Sequence, residues 1–200
     1  MSQKGSIDGK LAQALVFKDE GNTFYKEKDY KKALRKYHNA ILYMKGIDND
    51  LHGTPAFMQT SSSVDPNSQK KISPDLEREC IKANISIYNN LAACLLAQAK
   101  DECLDTEKSE QNHLKVVQYT DIVLELDKNN DKAMFRKAQA LKNIRDFSSA
   151  RENFENLKRL YQKNGIPVGR DVIAAIQECT EALKESDKKE KSMYKNMFGS

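Results

Sequence analysis

Five polar side chains, picked out by the repeat resemblance set out below, offer the most coherent chemistry in this sequence. Lys18 and Asn22 stand four residues apart, as do Lys132 and Arg136, and Asn90 adds a second carboxamide. Residues at that spacing share one face of a helix. Together they make three positive charges and two amides, with no acid among them. Ammonium and guanidinium groups form short, charge-assisted hydrogen bonds with anions, while amides donate without adding charge. Covalent chemistry is poorly served by comparison. His38, His52 and His113 are far apart and form no ligand spacing. No Gly-rich phosphate loop, Gly-x-Ser-x-Gly elbow or His-Glu-x-x-His motif is present. Cys80, Cys94, Cys103 and Cys179 include no Cys-x-x-Cys pair, which reads as reduced, buried thiols. A non-enzyme without metal or cofactor is the expectation.

Composition says what must position these groups. The chain has 200 residues with 39% hydrophobic and 31% charged, enough apolar content for one core or a small array of repeats. Only 8 Gly and 4 Pro supply turn chemistry, which argues for helices over a many-stranded sheet. A net charge of +4, with no recognisable aromatic stacking platform, argues against nucleic acid. The longest nearly apolar stretch, Leu91 to Ala99, is far short of the roughly 18 residues that a spanning helix needs. The amino terminus has no hydrophobic signal core and the carboxyl terminus no prenylation cysteine, so a cytoplasmic chain with no membrane contact is expected.

Internal similarity places the five side chains. Phe17-Lys-Asp-Glu-Gly-Asn-Thr-Phe24, Tyr88-Asn-Asn-Leu-Ala-Ala-Cys-Leu95 and Met134-Phe-Arg-Lys-Ala-Gln-Ala-Leu141 follow one pattern. Each runs bulky, then small four residues on, then bulky three residues later. The small positions Gly21, Ala92 and Ala138 allow a second helix to approach closely. That second helix supplies Ala33, Tyr37 and Ala40 after the first pattern, and Ala150, Phe154 and Leu157 after the third. Val116, Thr120 and Val123 take those places in between. Residues at i, i+4 and i+7 lie on one helical face. Farther on, Val172, Ile173, Ile176, Cys179 and Leu183 recur at helical spacing and should cover the last repeat.

These residues resemble the tetratricopeptide repeat, a helix-turn-helix unit of about 34 residues. The resemblance implies an all-α fold of three such units in a right-handed superhelical array, closed by a C-terminal capping helix. Repeat one spans 14–47, and a Pro- and Ser-rich inserted loop follows at 48–74. Repeat two, 75–130, has an extended first helix and an internal insertion around 101–112. Repeat three covers 131–163, with Asp146-Phe147 at its turn, and the capping helix and basic tail occupy 169–198. Positions 2, 5, 6, 9, 12 and 13 of each first helix face the concave surface in this family. Read there, the sequence gives Lys18, Asn22, Asn90, Lys132 and Arg136. The set is similar, residue by residue, to the two-carboxylate clamp of co-chaperone repeat domains. That clamp grips the terminal carboxylate and last Asp of the Glu-Glu-Val-Asp tail of cytosolic heat-shock chaperones of the ninety- and seventy-kilodalton classes. Lys132 also sits at a helix start, with Asn130 or Asp131 as its cap, where a cation opposes the helix dipole unless an anion docks.

The layout also resembles the tetratricopeptide repeat protein 9 family and the repeats that end large immunophilins. The residues that carry this are Tyr37-His-Asn-Ala-Ile-Leu42, Lys45-Gly-Ile-Asp48, Tyr88-Asn-Asn-Leu-Ala-Ala-Cys-Leu-Leu96 and Lys189-Glu-Lys-Ser-Met-Tyr-Lys-Asn-Met-Phe198. What the resemblance implies is an adaptor that binds chaperone tail peptides. An alternative is a structural scaffold that holds a helix or a cytoskeletal partner through another surface. In the immunophilins the corresponding tail is associated with calmodulin. The lysines of 184–195, interrupted by Met193 and Tyr194, make a basic helix with scattered apolar anchors that suits the same partner, but the apolar face is short and a solvated helix extension is the favoured reading.

Overall fold

Helices begin in this chain where a short polar side chain can take up a free backbone N–H. Ser6 accepts from the Gly9 N–H at 3.1 Å, Ser73 from Leu76 at 3.3 Å, Asn130 from Ala133 at 3.0 Å and Asp146 from Ser149 at 3.1 Å. Asp29 does the same for Lys32 at 3.0 Å. Each such cap is worth about 1 kcal/mol. In the computed structural model, residues 6–52, 72–100 and 106–198 are described. They form seven helices: α1 (Ile7–Lys26), α2 (Tyr30–His52), α3 (Pro74–Ala99), α4 (Thr106–Leu126), α5 (Asp131–Asn143), α6 (Phe147–Lys163) and α7 (Arg170–Phe198). The helices pair in the order the repeats require, α1 with α2 and α5 with α6, with α7 packed on α6. The chain divides into two compact units, Met1–Cys94 and Leu95–Ser200.

In the first unit, Ala33, Tyr37 and Ala40 of α2 are buried against α1, where Gly21 is buried too. A methyl group on Gly21 would lie 2.5 Å from Cε1 of Tyr37, so the ring lies directly on bare backbone. Both helices outrun the repeat frame. Ile7 and Leu11 extend the core ahead of the repeat on α1, and α2 runs on past Ile47 to His52. Lys10 ties these ends, donating to Gly46 O at 3.0 Å and pairing with Asp50 Oδ2 at 2.7 Å. Residues 48–52, polar enough to read as the start of the inserted loop, are therefore helical. Residues 53–71 of that loop lie outside the described residues. Helix α3 adds Cys80, Ala83, Ile87 and Leu91 to the buried set, and Cys94 Sγ lies 3.5 Å from Tyr30 O.

In the second unit, Val116, Thr120 and Val123 of α4 are fully buried, the Thr120 hydroxyl being spent on Val116 O at 2.8 Å. Helix α4 starts at Thr106, inside the stretch read as an interruption. Ser109 Oγ donates to Ala99 O at 3.3 Å and Asn112 Nδ2 to Gln98 Oε1 at 3.2 Å, which fixes the polar first two turns. Ala138, Phe154 and Leu157 form one core cluster with Val172 and Ala175 of α7. Leu141, Ala150 and Cys179 form another. The capping stripe is thus Val172, Ala175, Ile176 and Cys179. Ile173, expected on it, is 43% exposed, because it lies one position off the face that Val172 and Ile176 define.

Candidate functional site

The asparagines meet. Asn22 on α1 and Asn90 on α3 are 68 positions apart in sequence, yet Asn90 Nδ2 donates to Asn22 Oδ1 at 2.8 Å. The Tyr37 hydroxyl donates to the same oxygen at 2.9 Å. Burial pushes the Tyr37 phenol well above its ordinary range, so it stays a donor. Lys18 precedes Asn22 by one turn of α1, and its half-buried ammonium lies 3.2 Å from Asp19 Oδ1. Asp19 is 68% exposed in its side chain, and an exposed pair of this kind is worth about 0–1 kcal/mol. Such a contact yields readily to a better-placed carboxylate. These three residues belong to the first unit.

Lys132 and Arg136 belong to the second. Both rise from the first turns of α5, with Lys132 exposed and Arg136 half-buried. Asn130 is the cap of that helix, as its spacing implies, and Asp131 takes the Lys132 N–H at 2.7 Å. Asp131 also accepts from the Tyr161 hydroxyl at 3.4 Å, so the helix start is anchored to α6. Burial foremost, then the Asp131 charge, raises the Tyr161 phenol. One carboxylate in the first turn offsets the dipole cost of Lys132.

Tyr37 is the site residue that periodicity does not reveal, since a core tyrosine and a core phenylalanine read alike. Its signal is the exchange of Tyr37 for Phe154 at the same position of the third repeat. The thiols take no part in such chemistry. Cys80, Cys94 and Cys179 are free and buried, and burial pushes Cys94 up to about 12. Cys103 lies outside the described residues. Among the described residues there is no group of three or more His, Cys, Asp or Glu placed to hold a metal ion, and no helix long and apolar enough to cross a membrane.

No protein-family model matches the chain. It is 27% identical over 198 residues to tetratricopeptide repeat protein 9C of Xenopus tropicalis, covering 98% of both chains. It is 28% identical over 195 residues to FK506-binding protein 59 of Drosophila melanogaster, covering 98% of this chain and 35% of that protein. Against peptidyl-prolyl cis-trans isomerase FKBP4 of Homo sapiens the identity is 25% over 189 residues, covering 94% and 33%. The chain thus spans about a third of the length of these two relatives. The C-terminal TPR-containing domain of a Plasmodium falciparum FK506-binding protein has the same fold, with a TM-score of 0.64 at 22% identity over 92% of this chain and 96% of that one. With its small-residue pattern realised as buried helix contacts, the chain has the paired-helix fold of tetratricopeptide repeats and is similar to tetratricopeptide repeat protein 9C and to the C-terminal third of FKBP-type immunophilins.

Proposed function

We propose that this chain is a co-chaperone-like adaptor that holds the acidic Glu-Glu-Val-Asp terminus of a cytosolic heat-shock chaperone of the ninety- or seventy-kilodalton class. The observation that carries the reading is the joined pair Asn22–Asn90, one helical turn from Lys18. Such a pair presents N–H donors beside a cation, the requirement of a carboxylate at a chain end. Lys132 and Arg136 supply the charge for the second carboxylate, Arg136 as a planar fork and Lys132 as a point charge.

Titration of the peptide into the full chain tests this. Affinity near micromolar is expected, about −8 kcal/mol, since few side chains anchor a flexible ligand. Amidating the peptide terminus, Lys132→Ala and Arg136→Ala should each weaken binding about tenfold or more, the loss of a charge-assisted hydrogen bond or two. Added salt should weaken binding further by screening exposed cations. Equal affinity for acid and amide refutes the clamp. Pull-down of a partner retained by the Lys132→Ala, Arg136→Ala double variant would instead support the scaffold reading.

A second reading concerns the tail. Helix α7 continues to Phe198 and leaves Met193, Tyr194 and Met197 exposed at 64%, 54% and 68%. A lysine-bearing helix with such anchors fits calmodulin. Calcium-dependent binding lost on truncation after Glu185 is the expected result, and binding that survives truncation contradicts it.

A further inference from the structure

The geometry points to Tyr37 as a positioning residue that fixes the Asn22–Asn90 pair in a donor-outward state and so makes it select a carboxylate over a carboxamide. This rests on the carboxylate reading above. A carboxamide oxygen has two lone pairs, and both on Asn22 Oδ1 are used, by the Tyr37 hydroxyl at 2.9 Å and by Asn90 Nδ2 at 2.8 Å. If the Asn22 amide turned over, its N–H would face the Asn90 donor, and the Tyr37 hydroxyl, left to accept, would lose the acceptor for its own proton. Its Nδ2 is held away from Tyr37, and its near neighbour there is Asp19 Oδ1 at 3.4 Å, on a carboxylate 68% exposed. Asn90 retains a second amide hydrogen beyond the one given to Asn22. The pair therefore offers N–H donors to a ligand. A terminal carboxylate accepts at both oxygens, whereas a terminal carboxamide accepts at one and brings a competing donor.

Gly21 belongs to the same device. Its missing side chain leaves room for the Tyr37 ring, whose Cε1 and Cδ1 would lie 2.5 and 2.7 Å from any added Cβ. The third repeat has Ala138 and Phe154 at these positions, where no hydroxyl exists to orient the neighbouring side chain, Gln139. Tyr37 and Gly21 thus occur as a pair in the repeat that carries the amide contact.

The test is Tyr37→Phe in the full chain, a change that the Phe154 site shows to suit this packing. Acid- and amide-terminated Glu-Glu-Val-Asp peptides are titrated, and the side-chain amide resonances of Asn22 and Asn90 are followed by NMR. The acid-to-amide affinity ratio should fall about five- to tenfold, the effect of one hydrogen bond. The two amide resonance pairs, separate and narrow in the parent, should shift and broaden, with thermal unfolding still cooperative. An unchanged ratio with unchanged resonances overturns the inference. Should Tyr37→Phe fail to fold, the parent resonances decide: one fixed conformer for Asn22 supports the positioning role, and rotational averaging overturns it. Should the parent itself bind acid and amide alike, the clamp reading fails, and those same resonances still decide whether Tyr37 fixes Asn22.

Discussion

In the first repeat Lys28, Asp29 and Tyr30 turn the chain from α1 into α2; in the third, Arg145, Asp146 and Phe147 turn it from α5 into α6. The backbone does the same thing twice. Lys28 and Arg145 take the left-handed conformation at φ 62° and 65°, the next N–H reaches back to Phe24 O or Leu141 O, and the aspartate then caps the following helix. Eight residues upstream the small positions Gly21 and Ala138 are buried, and eight downstream so are the Tyr37 and Phe154 rings. The two repeats part at the hydroxyl of Tyr37. In the first it donates to Asn22, whose oxygen also accepts from Asn90 of the second repeat; in the third an all-apolar cluster fills the same place and the cations Lys132 and Arg136 rise from a helix start. One skeleton thus carries a hydroxyl-bonded amide and one cation in the first copy and two cations in the third.

Removing the rings should show that they are equivalent as core. Tyr37→Ala and Phe154→Ala should each lower unfolding stability by about 3–5 kcal/mol in denaturant titrations. A much smaller effect at one of them would break the equivalence. The small positions should differ. Gly21→Ala forces the Tyr37 ring to move, at about 1–3 kcal/mol of overpacking against about 1 kcal/mol of better helix propensity, so a net loss is expected by the same measurement.

A pH series separates the units. His113 in α4 is buried, its Nε2 3.3 Å from Asn143 Nδ2 and its Nδ1 without a partner. Burial lowers its pKa, so the folded chain favours neutral imidazole. The unfolded chain takes up the proton first as pH falls below about 6.5. Stability from this group is complete above that pH and declines below it. Thermal unfolding from pH 7.5 to 5 should show the decline, and His113→Gln should flatten it. No flattening would place the pH dependence elsewhere. The smallest effect should come at the shared turns, where Lys28→Gly and Arg145→Gly remove left-handed strain of about 1–2 kcal/mol at some cost in chain entropy. Gains up to about 1 kcal/mol, alike at both sites, are expected in thermal melts.

Much of this skeleton is legible in the sequence, because the repeat spacing and the buried face are one fact. Gly21, Ala92 and Ala138, and the stripes opposite them, are buried as the pattern requires. Polar stretches are harder to read. Residues 48–52 and 106–112 look like loop by composition but are helical, held by the Lys10 bonds and by Ser109 and Asn112. Composition cannot show a hydrogen bond between distant helices. For the same reason the amide pair could be named as two residues but not as a contact, and the role of the Tyr37 hydroxyl emerges only from three-dimensional distances.

The central claim is that the amides of Asn22 and Asn90 receive a terminal carboxylate. Its most direct measurement follows their side-chain N–H resonances while the acid-terminated peptide is added. Saturable shifts at both amides with the acid, and little response to the amidated peptide at equal concentration, are predicted. Unmoved amide signals while the acid peptide binds would contradict the account.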